Sequence, residues 1–326
     1  MKKNIAVLLF LCSGVSLAVQ AASTYSLDAK RYWAPNAQGD HVDNSTSDTT
    51  VVSPSERSSV SYNEDVSLEI ANWPEKGWAV DYWRAYVGTR AFESDTKIGE
   101  VLDGSQNRGK INWSYGGPSG AVALSVRFRY LKYNLKYELN GGTGPATSQT
   151  AIDYTSAYAL AAAPTRTGYT FDGWVTTGGQ LFTSGQSVSG ASFTELDNVH
   201  ADGHDVTLTA QWTEKTYSIS SSGEYCSITV SKTSNVKYTD EVTISWEPMT
   251  QPGHTLTFSS AKVFAGENQL KTFSSGTSGT FKMSDVNRGY FENVTVQVVY
   301  TDSTNQYAVN LTSNGNGTVS REPSKS

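Results

Sequence analysis

The sequence predicts a mainly β protein built as tandem small modules, and three observations carry that prediction. Apolar side chains recur with a period of two, as in Tyr133, Leu135, Tyr137 and Leu139, or Val206, Leu208, Ala210 and Trp212. Residues two apart share one face of a strand, so such runs are half-buried strands. The runs are separated by segments rich in Gly, Asn, Ser and Thr, residues that favour turns. The chain also repeats itself at long range, which is the mark of a modular array.

The first residues are a different element. Lys2 and Lys3 precede the apolar run Ile5–Leu11, and Val19-Gln-Ala21 offers small residues at the right spacing for cleavage. This pattern reads as a secretory signal peptide over 1–21, too short to anchor in a bilayer. Leu9, Phe10 and Leu11 precede Cys12, and a lipidated cysteine needs a small residue directly ahead of it. No other apolar run is long enough to cross a membrane. Residues 22–47 are poor in apolar side chains and read as a flexible leader that strengthens into a strand near Thr50.

The self-comparison defines the next element. Val60, Tyr62, Val66, Leu68 and Ile70 are matched by Val236, Tyr238, Val242, Ile244 and Trp246 at a constant offset of 176. Ile111 and Trp113 match Phe281 and Met283, and Leu124, Val126, Phe128 and Tyr130 match Val294, Val296, Val298 and Tyr300, at an offset of 170. Matched apolar positions keep the period of two, whereas Arg127 and Arg129 stand opposite Gln297 and Val299. Copies that share an inward face and differ outside share a fold, and a binding site need not follow. Two β-sandwich-like modules are therefore expected over 48–131 and 215–303.

Between them lies Tyr133-Asn-Leu-Lys-Tyr137-Glu-Leu139-Asn140-Gly141-Gly142-Thr-Gly144, where the first strand ends in an Asn-Gly-Gly turn. Pro164-Thr-Arg-Thr-Gly168-Tyr169-Thr-Phe171-Asp-Gly173-Trp174 follows, with Tyr169 and Phe171 on one side of a short strand, and Val206-Thr-Leu208-Thr-Ala210-Gln-Trp212 closes the unit. These three motifs, in this order over 133–213, resemble the Listeria–Bacteroides repeat, or internalin B-repeat. The resemblance implies a β-grasp-like fold for 132–214. It also implies a setting in multi-module proteins of the bacterial envelope or surface, where the module serves spacing, adhesion or ligand contact. The family carries no catalytic residues to transfer. The run Leu181–Asp205 departs from the family pattern, being longer and richer in Gly and Ser. The strand pattern of the flanking modules is similar to divergent bacterial surface repeats. Tyr307-Ala-Val309-Asn-Leu311, followed by Gly315-Asn-Gly317, opens like a further repeat over 304–326. A repeat without its closing strands cannot bury its own face, so the chain reads as part of a longer protein.

Composition narrows the function. The chain carries 25 basic and 31 acidic residues, a net charge of −6, and loss of Lys2 and Lys3 with the signal leaves 23 against 31, or −8. An acidic chain offers no basic patch for nucleic-acid phosphates. After cleavage only Cys226 remains, so no internal disulfide forms, and its alternation with Ile228 and Val230 marks a buried structural thiol.

Candidate chemistry is sparse. His200, Asp202, His204 and Asp205, with Asp197 nearby, are metal-ligand residue types, but Gly203 and Asn198 argue for a turn in which H-x3-H spacing has no meaning. A solvated hairpin loop is the plainer reading, and no metal or other cofactor is expected. The acid pairs Glu64-Asp65 and Asp240-Glu241 recur at strand entrances, where a charged turn explains them. No G-x-S-x-G, H-E-x-x-H or phosphate-binding glycine loop occurs. The aromatics Trp73, Trp78, Tyr82, Trp83 and Tyr86 are the candidate ligand contacts, because the second copy has no tryptophan after Trp246. Exposed rings of this kind stack on sugars or anchor protein contacts, and the plain alternative is extra packing against the neighbouring module.

The sequence therefore reads as an exported, non-enzymatic surface or envelope protein, an adhesin or spacer with a protein or glycan partner outside the cell. A carbohydrate-binding module using Trp73–Tyr86 and an appendage of an extracellular hydrolase are the alternatives.

Overall fold

The computed structural model describes residues 24–35, 41–61, 64–87, 90–93, 108–112, 121–287 and 293–305. The signal peptide with Cys12 and the segment from Tyr307 onward lie outside the described residues, as do Tyr62 and Trp113. The protein is mainly β, in several separate small sheets.

The first flanking module comprises β1 (Thr24–Pro35), β2 (His41–Ser47), β3 (Val52–Ser53), β4 (Glu56–Ser61), β5 (Asp65–Ile70), β6 (Trp78–Val87), β7 (Arg90–Glu93), β8 (Arg108–Asn112) and β9 (Ala121–Tyr130). One sheet runs β2-β1-β9-β6-β7, with β4 also on β1, and the second runs β3-β5-β8. Val66 and Leu68 from the small sheet meet Leu27, Trp83, Val126 and Phe128 from the large one in a single core. The expected flexible leader is thus corrected. Residues of 22–47 form β1 and β2, and β1 is an inner strand, parallel to β9. Leu27 and Ala29 are buried there, but the register shifts between Tyr25 and Leu27 and again between Trp33 and Pro35. Such bulges break the period of two that would have marked the strand.

The middle repeat comprises β10 (Lys132–Glu138), β11 (Gln149–Asp153), β12 (Tyr158–Ala159), β13 (Tyr169–Thr176), β14 (Leu181–Phe182), β15 (Ser187–Val188) and β16 (His204–Glu214). Its main sheet runs β11-β10-β16-β13-β14, and β12 pairs with β15. Tyr133 and Leu135 are buried on β10, and Val206, Leu208 and Ala210 on β16, as their alternation predicts. The long run from Leu181 adds two short 3-10 turns, Gly190–Ser192 and Thr194–Leu196, which bring Phe193 and Leu196 into the core. Phe193 meets Tyr133 and Phe182 with ring centroids 5.8 and 5.3 Å apart.

The second flanking module comprises β17 (Thr216–Gly223), β18 (Cys226–Val230), β19 (Val236–Lys237), β20 (Glu241–Pro248), β21 (His254–Ala265), β22 (Asn268–Phe273), β23 (Ser278–Lys282), the one-turn α1 (Met283–Val286) and β24 (Asn293–Thr304). Its sheets run β19-β17-β24-β21-β22 and β18-β20-β23. Apart from β2, this is the connectivity of the first module: β17 stands for β1, β24 for β9, β21 for β6, and β20 for β5. Val242, Ile244 and Trp246 face Ala261, Val263, Val294 and Val296 in one core.

By density of contacts the chain divides into two compact units, and the division runs through the middle repeat. Residues up to 138 with 146–162 and 174–209 form one unit, and 139–145, 163–173 and 210–326 form the other. Each unit therefore contains one flanking module and the part of the repeat packed on it.

Candidate functional site

The aromatic cluster resolves strand by strand. On β6, Trp78 pairs with Tyr130 and Val80 with Phe128, then a bulge at Asp81 shifts the phase so that Tyr82 pairs with Arg127 and Trp83 with Val126. Trp83 is wholly buried and Trp78 is 7% exposed, both inside the core. In the second copy Phe258 pairs with Tyr300 and Val263 with Val296, so Phe258 and Val263 occupy the places of Trp78 and Trp83. The aromatic excess of the first copy is thus largely a change of core filling. Tyr82 lies on the outer face, with the Arg127 guanidinium 5.0 Å from its ring centre and donating to its hydroxyl. The side chain of Tyr86 lies outside the described residues.

Trp73 has another role. Half-buried ahead of β6, it packs on Phe128 at 5.4 Å and stacks flat on His200 of the repeat, with centroids 3.8 Å apart and planes 1° from parallel. The His200 Nδ1 lies 3.0 Å from the Trp78 carbonyl oxygen. Burial depresses the His200 pKa, and the carbonyl partly opposes that shift.

The other metal-type residues of this loop are engaged in the same junction. Asp202 accepts both Arg129 Nη1 and Nη2, at 2.8 and 2.9 Å, and the Lys132 backbone N–H at 2.9 Å. Burial alone would raise its pKa, but the Arg129 and Lys132 hydrogen bonds outweigh that and hold it below the usual carboxylate range. Asp197 pairs with Lys76 at 2.8 Å. Asp205 is held by Lys136 and by Asn134 Nδ2 at 2.9 Å, while His204 is exposed. Among the described residues no three His, Cys, Asp or Glu side chains are placed to share a metal ion. What the sequence offered as a solvated loop is the clasp between the first module and the repeat. The signal for it lay in the unmatched outer face, since Arg129 has no counterpart at Val299.

The acid pairs act as turn locks. Glu64 accepts the Ser61 N–H at 2.9 Å, and Asp240, its counterpart, accepts the Lys237 N–H at 2.8 Å. Each also pairs with a cation, Arg57 at 2.8 Å for Glu64 and Lys232 at 2.5 Å for Asp240. Hydrogen bonding from the Ser61 N–H lowers the Glu64 pKa, and the Lys232 hydrogen bond is the main cause of the lowering at Asp240. Cys226 is half-buried, and burial pushes its thiol pKa up, away from the reactive thiolate.

The second junction lies between the repeat and the second flanking module. Tyr238 meets Tyr169 edge-on at 6.2 Å, and its ring lies against Gly168. The Thr239 N–H donates to Glu214 Oε1 at 2.7 Å. Trp174 is fully buried and donates its indole N–H to the Ala161 oxygen at 3.0 Å. Trp212 is half-buried, meets Phe171 edge-on at 5.5 Å and donates to the Leu139 oxygen at 3.2 Å.

The geometry defines a series of small β modules clasped at their junctions, with polar groups spent on those clasps. Residues 133–196 match the model of the Listeria-Bacteroides repeat domain, which is a repeat rather than an enzyme family. No curated protein matches the chain. Among the described residues no helix is long and apolar enough to cross a membrane.

Proposed function

We propose that this protein is a non-enzymatic component of the bacterial envelope or surface that works under tension, as an adhesin or spacer between the cell and a protein or glycan partner. The observation that carries this reading is shared by all three modules. In each, the first and last strands are hydrogen-bonded parallel neighbours: β1 with β9, β10 with β16, and β17 with β24, over six residue pairs each. Pulling the two ends of such a module slides parallel neighbours past one another. All the interstrand bonds then resist together, whereas an antiparallel hairpin opens one bond at a time. Resistance to pulling is set by the unfolding barrier, so this geometry suits a chain that is pulled in use. The match of 133–196 to a repeat of bacterial surface type supports the location.

Two measurements test the proposal. Single-molecule extension of the chain by its ends should give one high-force event per module. Controls in which force is applied at adjoining ends of antiparallel β6 and β9, or β21 and β24, should open at much lower force. Protease or antibody applied to intact cells should reach the protein, and in-frame removal of 132–214 should weaken attachment. Low-force peeling of every module, or a protein sealed from outside reagents, would overturn the reading.

A further inference from the structure

One row of side chains differs between the two flanking modules in a way their shared fold does not require. In the first copy the row is Trp33, Arg127 and Tyr82, paired across β1, β9 and β6. Arg127 lies over the Tyr82 ring and donates to its hydroxyl, so the outer face there is filled. In the second copy the same row is Ser222, Gln297 and Lys262, paired across β17, β24 and β21. Gln297 and Lys262 face outward because the residues flanking them, Val296, Val298, Ala261 and Val263, are buried.

In place of that bulk the second copy has a cleft of about 480 Å³, lined by residues 222–224 and 297–300. Its shape is built into the backbone. The strand β17 ends at Gly223, opposite Val298, where a Cβ would lie 2.6 Å from Cys226 Sγ and 2.8 Å from the Val298 oxygen. The chain then bends at Tyr225, a non-glycine residue at φ 58°, whose carbonyl accepts the Met249 N–H at 2.7 Å. A bulky side chain at positive φ is strained, and such strain persists where the surroundings fix it.

The lining has two halves. Val299, exposed, and Tyr300, half-buried, supply an apolar wall. Ser222, Glu224 and Gln297 are exposed polar groups, with Lys262 beside Gln297. Among the described residues these four side chains make no hydrogen bond or ion pair. On the same strand pair, by contrast, Ser220 and Thr295 bond each other at 3.1 Å. A few convergent polar groups beside an apolar wall, in a cleft of this size, make a small-ligand site. A sugar ring suits both halves, with hydroxyls on its rim and C–H groups on its face.

We propose that this cleft of the second flanking module binds a glycan. Glu224 accepts from ring hydroxyls, Gln297 and Lys262 donate to them, and Val299 and Tyr300 receive the C–H face. The inference rests on the adhesin reading for the class of its ligand, and it uses none of Trp73, Trp78, Tyr82, Trp83 or Tyr86.

The test applies the full chain to an array of neutral and uronic-acid-containing oligosaccharides, then titrates the best-bound one. Binding to at least one is expected. Glu224→Gln should weaken it about tenfold, the effect of one lost hydrogen bond to a charged group. Gln297→Ala should weaken it several-fold, Val299→Arg should fill the cleft and abolish it, and Tyr82→Phe in the first copy should leave it unchanged. Amide exchange along β24 should stay the same in every variant, which separates a lost contact from a lost fold. Binding to no oligosaccharide, or binding indifferent to the substitutions at 224, 297 and 299, overturns the proposal. So does attachment that needs Glu224 yet survives enzymatic removal of glycans from the target surface, since the cleft would then serve a protein partner. The extension-force measurement is separate: low-force peeling with cleft-dependent sugar binding removes the tension-bearing role and leaves this site.

Discussion

The two flanking modules share a strand connectivity around their cores and differ on the outer face of one strand pair. Their sheets have the same connectivity apart from β2, their entrance turns are locked by equivalent acids, and their cores exchange Trp78 for Phe258 and Trp83 for Val263 while the bulge moves from Asp81 to Ser259. Outside, Arg129 meets Asp202 of the repeat, whereas Val299 is an exposed apolar side chain. The difference teaches that the inner face fixes the module and the outer face fixes its neighbour. A core tolerates large exchanges if volume is made up nearby, while a junction with a bidentate guanidinium–carboxylate pair is specific in geometry as well as charge.

The sharpest way to break this comparison is in the cores. Trp83→Ala should destabilise the first module by about 3–5 kcal/mol, the usual cost of emptying a large buried aromatic site. Val263→Ala at the matching site should cost the second module roughly 0.5–3 kcal/mol. Denaturant unfolding followed by hydrogen exchange module by module checks both, and equal loss in both modules from Trp83→Ala would show that the cores are not separate. Next come the outer faces. Arg129→Met should weaken the first junction by about 1 kcal/mol, discounted because Asp202 is 44% exposed and solvent screens the pair. A double-mutant cycle with Asp202→Asn isolates that coupling, while Val299→Met should stay within about 0.5 kcal/mol of neutral.

A smaller effect separates the junctions by pH. The folded-state pKa of His200 lies below its ordinary value because burial disfavours the imidazolium. Its contribution is therefore fully present above about pH 6.5, and is lost as pH falls through the lower folded value. Lys76 and Asp197 pair beside the same loop. Relative to its intrinsic exchange rate, protection of the Leu131 amide, which donates to the Gly77 carbonyl, should fall on acidification, protection of the Lys215 amide, which donates to Gly168, should not, and His200→Phe should remove the difference. The smallest effect is the turn lock: Glu64→Gln and Asp240→Asn should each slightly lower the melting temperature of their own module, by similar amounts. Both carboxylates have lowered pKa values, so this contribution is present above the ordinary carboxylate range and lost as pH falls through the folded values. A loss confined to one copy would break the equivalence of the two turns.

Much of the fold was legible in the period of two. Tyr133 and Leu135, Val206, Leu208 and Ala210, and the matched inner positions of the two copies are all buried as that period requires. The first strand was not legible, because Leu27 and Ala29 sit among Asp28, Lys30 and Arg31 and because bulges interrupt its phase. Its partner, β9, is also about a hundred residues away, and no local pattern reports a long-range parallel pairing. The clasp at His200 and Asp202 was hidden for the same reason: its partners Trp73 and Arg129 stand far away in sequence. Polar residues in a loop look alike whether water or a neighbouring module receives them. The core role of Phe193 and Leu196 escaped because two short 3-10 turns carry no periodic signature.

The pairing of each opening strand with its closing strand also sets an order of assembly. As the chain emerges from its N-terminus, β1 has no neighbour on its inner edge until β9 arrives, and the same holds for β10 awaiting β16 and β17 awaiting β24. Such distant contacts form late and slowly. Each unit must therefore remain open until its last residues are made, and only then do the Gly77 and Gly168 carbonyls receive the Leu131 and Lys215 amides that follow the first two closing strands. Maturation proceeds in one direction, each finished unit becoming the template on which its successor comes to rest.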